Sequence, residues 1–193
     1  ATPEKLQELV DVARRVEERI GRKLDIVSGG ASSSYMRVLD GNIPEGINNL
    51  RIGEEILLPQ DLLYLYGYPL NGMYDDVFTL ESQVIEVRDK PSYPVGELGV
   101  DAFGHKPVYI DKGIRRKVLL AMGHLDYCDY KDLIPQDKDV EILGCSSDHT
   151  IMDVTDAPRT YHVGDIVKFN LIYGTNLFLC HSQNVQKVFI DEE

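Results

Sequence analysis

The sequence predicts an α/β portion followed by a mainly antiparallel β domain, with the boundary near residue 75. Before that point, segments with helical spacing alternate with short apolar runs ending in glycine, the pattern of parallel strands joined by crossover helices. After it, apolar and polar residues alternate with a period of two, as in half-buried strands. Two βα units cannot close a sheet, and an α/β barrel takes about 250 residues. We therefore predict that residues 1–75 are the last βα units of a TIM-like barrel and that residues 76–193 are a separate β domain.

The first element is a helix whose two ends are both marked in the sequence. Thr2 suits the N-cap, Pro3 the first turn, and Gly21 a left-handed ending. Spacings of three and four predict one apolar stripe, made of Leu6, Leu9, Val10, Ala13, Val16 and Ile20. The helix is therefore expected to cover an apolar surface on one side.

Two strand-to-helix turns follow, and both contain glycine. The run "KLDIVSGG" predicts a strand that stops at its glycines, and "SSYMRVLDG" predicts a short helix after it. A second strand is expected near residues 49–52, with Gly53 behind it and a helix starting at Glu54. This order gives helix, strand, helix, strand, helix.

These turns are candidates for an anion site. Amides at a helix start bind anions, and the hydroxyls of Ser32 and its two serine neighbours add further donors. Taken alone, the serines are explained equally well as helix caps after a flexible turn. Two adjacent glycine turns at one rim favour the phosphate site that barrels form after their last strands. Arg51 lies two residues before Gly53 and is expected on the same side of that strand.

The β domain is predicted from strand-like runs separated by turn residues, without helical periodicity. The runs are "DVFTLESQVIEVRDK", "KPVYI", "RRKVLLAMG", "DVEILGCSSDHTIMDVTD", "GDIVKFNLIYG" and "VQKVFID". His124 and Asp126 follow one strand end, where a histidine suits a general base, although a structural histidine is the commoner case. Ser146 and Asp148 follow another strand end.

Composition narrows the function classes. The net charge of −12, without a basic run, argues against nucleic-acid binding, and no apolar stretch is long enough to span a membrane. Three cysteines without a CxxC pair argue against a disulfide framework and favour a cytoplasmic protein. Neither His149 with Asp153 nor Cys180 with His181 has zinc-ligand spacing, so no metal site is predicted.

In combination, the motifs resemble the pyridoxal-phosphate (PLP)-dependent alanine racemase family, in particular its ornithine racemase-like branch. The resemblance is carried by "GGASSS", "GINNLRIGEEILL", the stretch from "DVFTLESQ" to "KVLLAMG", and "GCSSDHTIMDVTD". It implies a PLP-binding barrel followed by a β domain, with an amino acid as substrate. The lysine that attaches PLP lies near the first barrel strand, so the resemblance implies that this chain lacks it and is inactive alone.

The resemblance also implies cofactor-binding residues. Ser32 matches the phosphate-binding serine, and Ser28 lies at the strand end where the family often has histidine. Gly53 and Glu54 match the pair whose backbone amides hold the phosphate, and Arg51 matches the arginine that donates to the pyridine nitrogen. Tyr173 is a weaker candidate for a phosphate-binding tyrosine.

For the reaction, the resemblance implies two-base proton transfer at the substrate Cα. His124 stands where alanine racemases have a catalytic tyrosine, with Asp126 close behind it, so the second base is expected to be either His124 or a different group. Ser147 and Asp148, in "CSSDH", match a motif that lies near the substrate carboxylate and are therefore candidate substrate-site residues. The family also implies a head-to-tail homodimer, in which each β domain completes the partner's active site.

Two other functions remain open at this point. A D-threonine aldolase or dehydratase on the same fold would add a metal held by C-terminal histidine and cysteine, and the sequence lacks the His-x-Cys pair. A non-catalytic β module for assembly would have no lysine-bearing domain upstream.

Overall fold

The computed structural model describes residues 1–97, 99–100, 104 and 108–190. The chain divides into two compact units, the first running from Ala1 to Met73 and the second beginning at Tyr74. Among the residues described, no helix is both long and apolar enough to cross a membrane.

The first unit has the predicted order of helices and strands. Its two strands pair in parallel, as expected for βα units. Its elements are α1 (Pro3–Ile20), β1 (Ser28–Ala31), a 3₁₀ helix (Ser32–Ser34), α2 (Tyr35–Leu39), β2 (Asn49–Arg51), α3 (Glu54–Leu57) and α4 (Gln60–Tyr64).

Helix α1 has the predicted ends. The Thr2 side chain accepts a hydrogen bond from the Lys5 amide at 3.4 Å, and Gly21 has a left-handed φ of 68°. The predicted apolar stripe is only partly covered. Its buried members are Leu6, Val10 and Ala13, whereas Leu9, Val16 and Ile20 are exposed.

The first strand lies further along the chain than predicted. Strand β1 contains both glycines of "SGGA" instead of ending at them. The preceding residues are held by the Asn48 side chain, which accepts from the Val27 amide at 2.8 Å and donates to the Asp25 carbonyl at 2.9 Å. The Asn48 backbone amide also donates to the Val27 carbonyl at 3.2 Å, so Asn48 holds this segment through both its side chain and its backbone. A Cβ at Gly29 would lie 2.8 Å from Ile47 Cγ2, so glycine lets β1 approach its neighbour closely.

The second unit is a six-stranded antiparallel sheet with two short α-helices. The sheet order is β5-β8-β3-β4-β7-β6. The elements are β3 (Thr79–Pro91), β4 (Ile114–Leu120), α5 (His124–Tyr127), a 3₁₀ helix (Tyr130–Asp132), β5 (Ile134–Pro135), β6 (Glu141–Cys145), β7 (Thr150–Asp153), β8 (Ile166–Asn170) and α6 (Tyr173–His181).

Strand β3 joins the two parts of this sheet. It pairs with β8 through residues 79–83 and with β4 through residues 84–91, and the register with β4 shifts between Val84 and Glu86. Alternate residues point into the core, as the period of two predicted. The most deeply buried core side chains are Val84, Val118, Leu120, Met152, Val167 and Phe169.

Three predictions for the β domain need correction. Helical structure is present: α6 follows β8 directly, and its exposed Leu177 and Phe178 hide the 3.6-residue period. The run "KPVYI" was predicted as a strand, but residues 108–110 form none, and its first two residues lie outside the described residues. The run "VQKVFID" forms no strand over residues 185–190, where Val188, Phe189 and Ile190 are exposed; its last residue lies outside the described residues.

Candidate functional site

In the first unit, the parallel pairing brings two predicted cofactor residues into contact. Ala31 lies opposite Arg51 in the register, so the carboxyl ends of β1 and β2 meet at one edge. Across this pair, Arg51 Nη1 donates to Ser28 Oγ at 2.5 Å. The hydroxyl therefore orients a guanidinium that otherwise extends toward solvent.

The turn after β1, residues 28–34, is called the glycine–serine turn below. Its geometry depends on Ser34, which is buried and donates through Oγ to the Gly29 carbonyl at 2.7 Å. Gly30 has a φ of 108°, a conformation that favours glycine. The Ser32 hydroxyl makes no hydrogen bond to any described residue, so it remains available to a ligand. The sequence did not distinguish the two roles, since three consecutive serines look alike.

The turn after β2 offers backbone donors. Gly53 precedes α3, and a Cβ there would meet no atom within 4 Å. Over the described residues, the amides of Glu54 and Glu55 donate to no backbone carbonyl. Strand β2 also contacts the 3₁₀ helix of the glycine–serine turn. The edge therefore combines free amides, a free hydroxyl and a guanidinium, a donor set that fits a phosphate ester and a heterocyclic nitrogen.

The side chains behind this edge are acidic. Burial, together with a hydrogen bond and charge repulsion from Asp61, raises the pKa of Glu54 to about 7. Glu55 is buried, and its Oε2 has no hydrogen-bond partner in the part of the chain that the structure describes. The predicted role of Glu54 uses its backbone amide, and this arrangement leaves that amide free.

In the second unit, two loops that the sequence singled out separately are in direct contact. We call residues 122–128 the histidine turn and residues 145–150, which connect β6 to β7, the serine hairpin. The amides of His124 and Leu125 donate to the carbonyls of Ser146 and Ser147 at 2.9 and 3.1 Å. A Cβ at Gly123 would lie 2.3 Å from the Ser147 carbonyl oxygen, so only glycine permits this approach.

Asp126 supports the histidine turn from inside the protein. It is buried, and its two carboxylate oxygens accept hydrogen bonds from the Gly123 amide at 3.0 Å and the Ser182 hydroxyl at 2.9 Å. These bonds tie the start of α5 to the end of α6. This geometry is that of a carboxylate that holds His124 in place. A catalytic role for Asp126 stays a prediction.

The remaining predicted residues lie at the surface of the second unit. Ser147 and Asp148 are exposed at the tip of the serine hairpin, where the Ser146 hydroxyl accepts from the amides of Asp148 and His149 at 3.4 and 3.1 Å. His124 is half-buried as the first residue of α5. Tyr173 is the first residue of α6 and is 48% exposed.

One buried hydrogen-bond chain is not predictable from the sequence. Tyr127 and Thr150 are fully buried, with the Tyr127 hydroxyl 2.6 Å from Thr150 Oγ1. Thr150 Oγ1 in turn donates to the Met122 carbonyl at 2.8 Å, and burial raises the pKa of Tyr127. This chain fastens the histidine turn to β7. Local sequence carries no signal for it, because Tyr127 and Thr150 are 23 positions apart.

Comparison with known proteins gives two curated relatives. The chain is 47% identical over 182 residues to ornithine racemase of Acetoanaerobium sticklandii, which covers 94% of this chain and 51% of the relative. It is 41% identical over 188 residues to lysine racemase of Thermotoga maritima, covering 97% of this chain and 52% of the relative. The chain thus spans about half the length of the curated relatives it matches. No family model matches.

Solved structures show the same fold at low sequence identity. Biosynthetic alanine racemase from Pseudomonas aeruginosa aligns with 93% of this chain and 50% of its own, with a TM-score of 0.55 at 18% identity. D-threonine aldolase from Filomicrobium marinum aligns with 90% of this chain and 40% of its own, with a TM-score of 0.52 at 14% identity. At these identities, the likeness concerns the fold alone.

Proposed function

We propose that the chain belongs to the alanine racemase family, as a portion that includes the C-terminal domain, and that the whole protein is a PLP-dependent amino-acid racemase. The observation that carries the proposal is the 47% identity to ornithine racemase over 94% of the chain. The two curated relatives are named for ornithine and lysine, so amino acids with an amine in the side chain are the first substrates to test.

We propose that residues 1–75 are the end of a PLP-binding barrel. The Ser32 hydroxyl and the amides that follow Gly53 would hold the phosphate, and Arg51, oriented by Ser28, would donate to the pyridine nitrogen. When bound, PLP makes the substrate Cα proton acidic. An always-charged guanidinium at the nitrogen keeps that nitrogen unprotonated, because arginine does not release a proton there. The lysine that attaches PLP is proposed to lie in the part of the protein that precedes this chain.

We propose that residues 76–193 supply the second proton-transfer group. His124 is half-buried beside the serine hairpin, and imidazole both takes and gives protons near neutral pH. Ser147 and Asp148 would face the substrate, and Asp126 would hold the histidine turn in position. Tyr173 is proposed to contact the phosphate from the start of α6.

The proposal extends to assembly and compartment. A head-to-tail homodimer would let each β domain complete the active site of its partner, and this portion alone would be inactive. Cys128, Cys145 and Cys180 are all free thiols, which supports the cytoplasm as the compartment.

The test is an assay of the full-length protein with both enantiomers of ornithine, lysine and alanine, followed by chiral chromatography. We expect interconversion that depends on PLP. Reversing the charge in Arg51→Glu should abolish racemisation and shift the absorbance of the cofactor, whereas Arg22→Glu, at the exposed end of α1, should change neither. An unchanged spectrum and rate in Arg51→Glu would remove that assignment, and activity that requires added zinc or manganese would contradict the racemase proposal.

The role of His124 is tested by solvent exchange. In deuterated water, His124→Ala should lose exchange of the Cα proton for one enantiomer and keep it for the other, because only one face of the substrate loses its base. Normal exchange of both enantiomers would assign His124 a structural role.

A further inference from the structure

We propose that Asp148 selects substrates whose side chain ends in a cation, by pairing with the side-chain ammonium. This inference rests on the proposed racemase function and names the residue that would determine its substrate class. Its basis is the contact between the histidine turn and the serine hairpin, both in the second unit.

The position of Asp148 is set by backbone contacts. A Cβ built on Gly123 would lie 2.4 Å from the Asp148 nitrogen, so the backbone of Asp148 lies directly against the residue before His124. The amide of His124 is itself bonded to the Ser146 carbonyl, two residues before Asp148. A substrate whose Cα reaches the His124 side chain therefore comes close to the Asp148 carboxylate.

The Asp148 carboxylate is available for a ligand. The residue is exposed, and across the described ranges its carboxylate takes part in no hydrogen bond or ion pair. Its amide is occupied within the hairpin by the Ser146 hydroxyl. Asp126, the other aspartate at this contact, is buried, and both of its oxygens already accept hydrogen bonds. Of these two aspartates, Asp148 is therefore the one whose carboxylate can bind a cationic group.

The charge decides which substrate group Asp148 can accept. A carboxylate repels the α-carboxylate that every amino acid carries, so it is a poor site for that group. It attracts a second ammonium, which forms a charge-assisted hydrogen bond with it. Neutral side chains of the same length gain nothing from this contact. The geometry therefore favours ornithine or lysine over their uncharged analogues.

The experiment compares L-ornithine with L-norvaline, which has the same carbon chain without the side-chain amine, in the full-length enzyme. Wild-type enzyme should prefer ornithine. In Asp148→Asn, kcat/KM for ornithine should fall roughly 10- to 100-fold, mainly through KM, and kcat/KM for norvaline should fall by a much smaller factor, because norvaline has no side-chain charge to pair. Asp148→Glu should recover part of the loss. The matched control is Asp139→Asn, which removes one charge from an exposed turn before the opposite end of β6 and should leave the preference unchanged.

The outcomes separate this inference from the function on which it rests. Equal losses for ornithine and norvaline, or no loss for either, would overturn the role of Asp148. A wild-type enzyme that racemises alanine or norvaline but neither ornithine nor lysine would overturn the inference and leave the racemase proposal standing. A full-length enzyme that racemises none of these amino acids would overturn both.

Discussion

Replacing Gly123 with alanine tests the contact that joins the histidine turn to the serine hairpin. The added Cβ would lie 2.3 Å from the Ser147 carbonyl oxygen and 2.4 Å from the Asp148 nitrogen, and Cβ contacts below 3.0 Å are essentially absent from real proteins. Both neighbours are backbone atoms, so no side chain can rotate away. The φ of Gly123 is −148°, which any residue adopts, so the expected effect comes from the collision alone.

The cost follows from what must move. Overpacking a tight site costs about 1–3 kcal/mol. Separating the loops also breaks the two hydrogen bonds from His124 and Leu125 to the hairpin carbonyls, each worth about 1 kcal/mol net. We expect Gly123→Ala to lower the free energy of unfolding by about 3–5 kcal/mol. With a urea dependence of about 2 kcal/mol per molar, the midpoint falls by about 1.5–2.5 M.

The assay is urea unfolding of the protein followed by circular dichroism, with Gly174→Ala as the control. Gly174 lies in α6, and a Cβ there meets no atom within 4 Å, so alanine should be neutral or add up to about 1 kcal/mol through helix propensity. If Gly123→Ala proves as stable as the wild type, the close approach of the two loops, and with it the placement of Asp148 beside His124, is refuted.

Two further predictions concern polar side chains, one partly buried and one fully buried. The pKa of Glu54 is raised from 4.5 to about 7, so the folded state holds this proton more tightly than the unfolded state. The stabilisation from protonated Glu54 should be complete below pH 4.5 and lost as the pH rises through 7, so the urea midpoint should fall between pH 4 and pH 8. Glu54→Gln should abolish this pH dependence, whereas the control Glu45→Gln, at an exposed position, should retain it. In the second unit, Thr150→Val removes one hydroxyl that bonds both the Tyr127 hydroxyl and the Met122 carbonyl, and it should cost about 2–4 kcal/mol, against about 1 kcal/mol for Tyr127→Phe. Equal costs from thermal unfolding would show that Thr150 does not connect the two groups.

Several features were predictable because their causes are local. Thr2 and Gly21 define the ends of α1 through capping chemistry that involves only nearby residues. Glycine after each strand-like run, followed by helical spacing, predicted the order of elements in the first unit. The period of two predicted β3 for a similar reason, because strand faces alternate residue by residue.

Other features were not predictable because they depend on which distant segments meet. The start of β1 moved to Ser28 because Asn48, more than twenty positions away, bonds to the preceding backbone. Helix α6 was missed because its exposed apolar residues hide its period. Asp126 and Asp148 look equivalent in the sequence, and only tertiary contacts separate a buried aspartate with two partners from an exposed one.

The sequence alone determined the family resemblance, the order of the βα units and the residue types of the candidate site, since these depend on residue identity and short spacings. Only the tertiary structure decided which of these residues are free to act. It places the Ser34 hydroxyl on a backbone carbonyl and leaves that of Ser32 unpaired, and it brings Asp148 against Gly123. Hydrogen-bond partners and close backbone approaches form between segments far apart in the chain, and no local pattern of residues specifies them.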